Sequence, residues 1–393
     1  MQVQRTGPAI LSTNGNRGRF GLEPASIWRM SGHASVWVDL SEETHGQSPL
    51  AIASVFVALL AGIAAPHAQV FSLKPKTLDE VEAAQQAAKE AAEFVHLGTL
   101  ARLCLLPPSR SEDLSDKVPP YVADPTKAPA RATWYGAPAK VFDNFYFIGG
   151  KVHSSWALKT SEGLIVFDTI YPYNSEELVI GGLQKLGLDP KDIKYLIISH
   201  AHQDHIGGAE MIQTRYKSRV VMSAPDWDLV EKLPNRFKTM APKRDIVAAD
   251  GMKITLGEAE VSLWFTPGHT DGTQSFTFQV LDRGKPVNVV YSGGTALVYE
   301  WSLPEWSIRN LETYMASQRH LAAKAKETNA TVLISNHSEF DSAYNKTRML
   351  AGRGDGPHPF ESGADWVQRY FKVSENCARA TQLKVKQMPT ALR

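Results

Sequence analysis

His200-Ala201-His202-Gln203-Asp204-His205 puts three histidines and one aspartate into six positions. The string follows the apolar run at 195–198 and precedes Gly207-Gly208. Neutral imidazole nitrogens and carboxylate oxygens are the ligands that zinc takes. Side chains two apart in extended chain share a face, so His200 and His202 can converge on one cation. Asp204 and His205, past the bend, can aim at a second point nearby. A lone His-x-His is usually a surface or core feature, but the full H-x-H-x-D-H string is far rarer. His269, in "TPGHTDG", and His337, in "ISNHSEF", each follow an apolar run of their own. Five histidines and one carboxylate suit two zinc ions.

The elements that must position these residues are legible from periodicity. Segments 140–150, 152–160 and 163–169 alternate apolar and polar residues between Gly, Asn and Asp breaks, as consecutive strands do. A helix is predicted at about 174–187, then a strand ending at the His-rich loop, then a helix entered through Gly207-Gly208. A second strand-rich block covers 245–292, followed by a long helix at about 307–327, a strand at 330–336 and closing helices. Strands then helices, twice over, suggest two stacked sheets with helices outside. Every candidate ligand lies just past a strand, and loops at one edge of such a sandwich can meet in one cleft.

The strings at 200–205, 267–272 and 334–337 resemble those of the metallo-β-lactamase superfamily over roughly 139–350, with the closing helices added. The resemblance implies an α/β fold, the αβ/βα sandwich of two mixed sheets flanked by helices. It implies that His200, His202 and His269 hold a first Zn2+, and Asp204, His205 and His337 a second. Asp168, at the end of "GLIVFD", matches the family's buried aspartate that supports the metal histidines; a strand-end turn residue is the plainer reading. Most members outside the true β-lactamases carry a bridging aspartate in a "GD" after a strand. Here Gly294, in "VVYSGGTAL", stands at that place. Cys104 and Cys377 lie outside every motif, so the second metal has no cysteine ligand. This pattern resembles the third subclass of metallo-β-lactamases, which has a histidine-only first zinc site. That subclass often has serine where Gly294 sits, and Thr295 or Ser302 are the candidate substitutes. The loop "YEWSLPEW", with Tyr299 and Trp301, is either a groove wall for substrate or a surface-packed loop. Without a bridging anion the second metal is expected to be the weaker.

The implied activity is that of a dinuclear zinc hydrolase, most simply one opening β-lactam amides. The alternative is the same chemistry on another ester, lactone or amide. Zinc on three imidazoles keeps a position for water and lowers its pKa to about 7, giving hydroxide as nucleophile. Asp204 is the catalytic carboxylate, orienting the nucleophile and relaying its proton to the leaving nitrogen. There is no G-x-S-x-G elbow and no phosphate-cradling glycine loop.

The remaining chain bounds this reading. Its 393 residues, 43% hydrophobic and 21% charged with net charge +1, are ordinary for a globular enzyme. The charge balance favours neither nucleic acid nor acidic membranes, and the expected partner is a small-molecule substrate. Residues 1–48 lack periodicity and read as a disordered or mis-assigned extension. Residues 49–68 form an apolar run with small residues at its end, like a signal-peptide core, which implies a periplasmic or secreted protein with no stable membrane span after processing. A buried helix in a cytoplasmic protein is the alternative. Residues 69–138 read as a helix at 77–106, capped by Thr77 or Asp79, and a Pro-rich linker separating it from a catalytic domain at 139–393. Cys104 and Cys377 can form a disulfide if the chain is exported, and two free buried thiols are the alternative reading. Arg353–Asp355 is expected in a flexible glycine-rich loop.

Overall fold

A computed structural model of the chain describes residues 79–106, 121, 125–233 and 238–388. The extension at 1–48 and the signal-like segment at 49–68 lie outside the described residues, as does most of the Pro-rich stretch. The backbone divides into two units, Met1–Lys74 and Pro75–Arg393, and every described residue belongs to the second.

Seven strands form one sheet in chain order: β1 (Ala139–Phe142), β2 (Phe145–Phe147), β3 (Trp156–Thr160), β4 (Gly163–Phe167), β5 (Ile193–Ile197), β6 (Arg219–Ser223) and β7 (Ile246–Ala248). The first four pair antiparallel and the last four parallel, so the sheet is mixed. Five strands form the second sheet: β8 (Lys253–Leu256), β9 (Ala259–Phe265), β10 (Gln274–Asp282), β11 (Lys285–Ser292) and β12 (Val332–Ser335). Their spatial order is β12-β11-β10-β9-β8, with β12 parallel to β11.

Alternate residues of the two sheets face each other and are large and apolar. Phe145, Phe147, Trp156, Phe167, Phe276 and Tyr291 are fully buried between them. Burying side chains of this kind contributes about 1.5–3 kcal/mol each. The outer face of the first sheet carries α2 (Ala209–Tyr216) and α3 (Ala224–Lys232), packed through Ile212 and Trp227. The outer face of the second carries α4 (Pro304–Glu327) and α5 (Ala364–Lys386), packed through Leu311, Tyr314 and Tyr370 on Val290 and Leu333. These four layers are the two stacked sheets with helices outside that the strand and helix order suggests, and the αβ/βα sandwich that the resemblance implies.

The N-terminal helix departs from expectation in two ways. The single helix predicted at 77–106 stops at α1 (Glu80–Ala92), where Glu93 adopts φ 44°. The break lets the His96 ring nitrogen meet the Trp366 carbonyl at 2.7 Å, and it seats Gly98 against the Glu339 carbonyl, where a Cβ would not fit. Asp79 is the cap, accepting from the Glu82 N–H at 2.7 Å. Nor is the helix separated from the main body. Ala88, Ala91 and Ala92 join the core under α4 and α5, and Val81 and Ala84 pack on Ala380 and Leu383. Cys104 and Cys377 form a disulfide that ties this segment to α5 across 273 residues of sequence. No helix among the described residues is long and apolar enough to cross a membrane.

Candidate metal centre

Six loops meet at one edge of the sandwich, and each leaves the end of a strand. β4 delivers Asp168, β5 the string 200–205, β9 His269, β11 Gly293-Gly294 and β12 His337. The loop between β2 and β3 delivers His153. Two tight approaches allow this convergence. Gly268, at φ 122°, lies so close to Tyr314 of α4 that a Cβ would come within 2.7 Å of its backbone. Gly293 has the Gln274 carbonyl where a Cβ would stand. Only glycine fits either place.

His200, His202 and His269 form one cluster. His200 gives Nδ1–H to the Gly293 carbonyl at 2.9 Å, which leaves Nε2 as the lone-pair nitrogen; that atom is buried without a hydrogen-bond partner. His269 likewise gives Nδ1–H to the Ala296 carbonyl at 2.9 Å, so its Nε2 lone pair faces His202 Nδ1 at 3.1 Å. The His200 Nε2 lone pair, buried beside these imidazoles with no proton directed at it, is costly unless a cation sits there. The second cluster centres on Asp204 Oδ2, with His205 Nε2 at 3.2 Å, His337 Nε2 at 3.3 Å and His153 Nε2 at 3.6 Å. The donor set, imidazole and carboxylate, fits zinc at both places.

Electrostatics point the same way. Burial, reinforced by neighbouring imidazoles, lowers His200 well below the ordinary histidine range and takes His269 down to about 3. Burial takes His202 down to about 4 even though Asp204 pulls it up. His205 is the exception. Burial acts to lower it, but the carboxylates of Asp204 and Asp168 outweigh burial and raise it to about 10. Asp204 is held well below the usual carboxylate range: burial would raise it, and His205, His337 and His153 overcome that. The His200, His202 and His269 imidazoles are therefore neutral, the protonation state in which they bind cations, beside an Asp204 carboxylate held as the anion.

Asp168 backs this arrangement from beneath. It is fully buried at φ 56° and accepts from Ser199 N (2.7 Å), Ser199 Oγ (2.8 Å), Tyr291 Oη (2.8 Å) and His205 Nδ1 (3.1 Å). The plainer reading, a turn residue, also describes its backbone, but four donors on one carboxylate go beyond a turn.

The groove candidates fare differently. Thr295 is buried, its hydroxyl turned to Asn336 Oδ1 at 3.3 Å, so it is not a groove residue. A Cβ on Gly294 would meet Thr273 Cγ2 at 2.7 Å and His269 Cβ at 3.1 Å; this position backs the first cluster and has no open space in front of it. Tyr299 and Trp301 pack edge to face at 5.3 Å, with Trp301 exposed, and Ser302 is exposed beside them.

Several residues of the site lie outside the candidate ligand set read from the sequence. His153 stands alone in "GGKVHSSW", with no spacing to another histidine. Asn336, next to His337, donates to the Gly293 carbonyl at 2.7 Å and to Ser199 Oγ at 3.2 Å, clamping three ligand loops together. Asp226 accepts from Ala201 N at 3.0 Å and Thr270 Oγ1 at 3.1 Å, joining the loops of His200 and His269. Burial pushes its carboxyl up to about 7 despite these donors. Tyr121, from the Pro-rich stretch, reaches Gln203 Oε1 at 3.1 Å and packs on Tyr171 and Tyr173. A strand-end asparagine beside a histidine is a usable signal for Asn336; the others depend on the tertiary fold.

Residues 148–309 match the family described as the Metallo-beta-lactamase superfamily. Among curated proteins, the chain is 27% identical over 180 residues to an N-acyl homoserine lactonase of Agrobacterium fabrum, covering 43% of this chain and 67% of that one. It is 25% identical over 176 residues to an N-acyl homoserine lactonase of a Bacillus species, covering 38% and 67%. Among solved structures, it superposes on the subclass B3 metallo-β-lactamase of Bradyrhizobium japonicum with TM-score 0.53 and 24% identity, over 66% of this chain and 100% of that one. It superposes on the native metallo-β-lactamase of Legionella gormanii with TM-score 0.54 and 22% identity, over 64% and 97%.

Proposed function

Because this chain carries a metallo-β-lactamase superfamily domain, we propose that it is a zinc-dependent hydrolase opening a strained cyclic amide, a β-lactam first of all. His200, His202 and His269 would hold one zinc ion, and Asp204, His205 and His337, whose ligand atoms stand 3.2–3.3 Å apart, a second. Bound there, zinc supplies Lewis acidity toward a carbonyl and lowers the pKa of water. The observation that carries the reading is the partnerless, buried Nε2 of His200 among facing imidazoles. Asp168 fixes the ring of His205, and the Gly293 and Ala296 carbonyls fix those of His200 and His269, so the nitrogens are preset. Asp204, kept ionised, takes the proton of the attacking water and returns it to the leaving ring nitrogen. Gly294 supplies no bridging carboxylate, which favours the β-lactamase branch. The stacked pair Tyr171–Tyr173, with Tyr171 against His153, and the pair Tyr299–Trp301 are the aromatic surfaces an amphipathic small molecule would use. The paired cysteines suit an oxidising compartment and support export through the segment at 49–68.

A second reading, lactone opening, is favoured by the lactonase names of the curated relatives. Zinc-loaded protein assayed on a chromogenic cephalosporin, a penicillin, a carbapenem and an N-acyl homoserine lactone separates the two. Cephalosporin turnover that His202→Ala abolishes is the expected result. Lactone turnover alone would replace the first reading with the second. Purified protein that retains no zinc would overturn both.

A further inference from the structure

We propose that His153 is a fourth protein ligand of the second cation, closing that position with one carboxylate and three imidazoles. The proposal rests on the reading that the site holds two zinc ions. Zinc–ligand bonds of about 2.0–2.1 Å in a tetrahedron place neighbouring ligand atoms about 3.3–3.5 Å apart. Around Asp204 Oδ2 the nitrogens of His205, His337 and His153 stand at 3.2, 3.3 and 3.6 Å. His205 Nε2 and His337 Nε2 are themselves 3.3 Å apart. Four of the six separations of a closed tetrahedral site therefore stand near one tetrahedral edge.

The backbone holds His153 in this place. It forms an isolated antiparallel bridge with His337, so the two ligand-bearing residues are register partners across two loops. The Ser338 N–H donates to the Val152 carbonyl at 2.7 Å, and the Ser154 N–H to the Asn336 carbonyl at 2.9 Å. The hydroxyls of Ser154 and Ser338 meet at 3.3 Å. Tyr171 packs its ring edge to face on the imidazole at 4.7 Å, which limits the rotation of the side chain. A histidine with only a packing role would not need its Nε2 aimed at a carboxylate that two other imidazoles already share.

With His153 in place, the second cation is retained firmly although Gly294 offers no bridging anion, which reverses the expectation that it is the weaker of the two. The open coordination that substrate chemistry needs is then left to the three-imidazole cluster of His200, His202 and His269.

Full-length protein labelled with nitrogen-15 at histidine and loaded with cadmium-113 tests this by scalar coupling between metal and nitrogen. Six coupled histidines, three per cation, are expected. Five would overturn the role of His153 and leave the two-metal reading standing. None would overturn that reading and this proposal together. A chelator titration of His153→Asn supplies an independent measure: release of the second zinc at about tenfold or more lower chelator strength, with the first unchanged, is expected. Unaltered retention of the second zinc in a folded variant would overturn the assignment.

Discussion

The two ends of strand β11 lie about 25 Å apart and satisfy their polar groups in opposite ways. At the hairpin end, donors and acceptors balance. Asp282 takes both terminal nitrogens of Arg353 at 2.7 Å each, Asp143 accepts from the Gly284 N–H at 2.8 Å, and Arg283 donates to the Gly354 carbonyl at 2.6 Å. Arg353–Asp355, expected in a flexible loop, is pinned there. At the other end the balance fails: His200 Nε2 has no partner, and three imidazoles crowd one oxygen of Asp204. One sheet therefore carries an end whose polar groups pair with one another and an end whose histidine and aspartate groups could hold a metal ion.

The largest expected effect comes from that imbalance. Cations that bind the folded chain and not the unfolded one stabilise it by about 4 kcal/mol when present at a thousand times Kd. Stripping zinc from the folded protein should therefore lower Tm on the order of 10 °C in differential scanning calorimetry. Restoring zinc should recover it. An identical Tm with and without chelator would break the comparison, because the ligand end would then be self-sufficient.

A smaller effect belongs to the support beneath the site. Asp168→Asn keeps the size of the side chain but leaves one oxygen to serve Ser199, Tyr291 and His205, and puts an amide where the carboxylate accepted. Affinity for the second zinc should fall about 10- to 100-fold, measured by competition with a fluorescent chelator. The first zinc, whose ligands do not touch Asp168, should be retained as before. Equal loss of both ions would show that Asp168 acts through the fold instead.

The balanced end is almost illegible in the sequence, and the unbalanced end is largely legible. Local strings reveal the candidate ligands because His200, His202, Asp204 and His205 are neighbours in the chain, and His269 and His337 share one local pattern, a loop after an apolar strand. The two sheets are legible because alternation of buried residues, as in "SFTFQV" of β10, is a local signal. Arg353 and Asp282 are 71 residues apart, and nothing in the neighbourhood of either announces the other. His153 is hidden for the same reason: its partner is His337, across the fold. The break after Ala92 has no local marker because helix propensity continues through Glu93, and only the contacts of His96 and Gly98 with distant residues favour a bend. Tyr121 reads as linker because proline content reports the backbone, not where a side chain will dock.

The smallest expected effect tests the balanced end. Asp282→Asn removes the charge from the two-pronged pair with Arg353, whose partners are both mostly buried. Exposed ion pairs contribute little, but two parallel bonds in good geometry support a contribution of about 1 kcal/mol at neutral pH. The pH dependence fixes its origin. Arg353 holds the Asp282 carboxyl below its ordinary value of 3.8 in the folded chain. A folded-state pKa below the unfolded one means that the contribution is complete above 3.8 and lost as pH falls through the folded value. Urea melts should therefore show a constant gap between the parent chain and Asp282→Asn from pH 7 to pH 5, closing as pH falls below about 3.8. A gap that persists undiminished at the lowest pH at which both proteins fold would mean that the substitution costs packing and not charge. The hairpin end would then owe its order to shape alone, and the contrast with the histidine end would no longer be one of electrostatic balance.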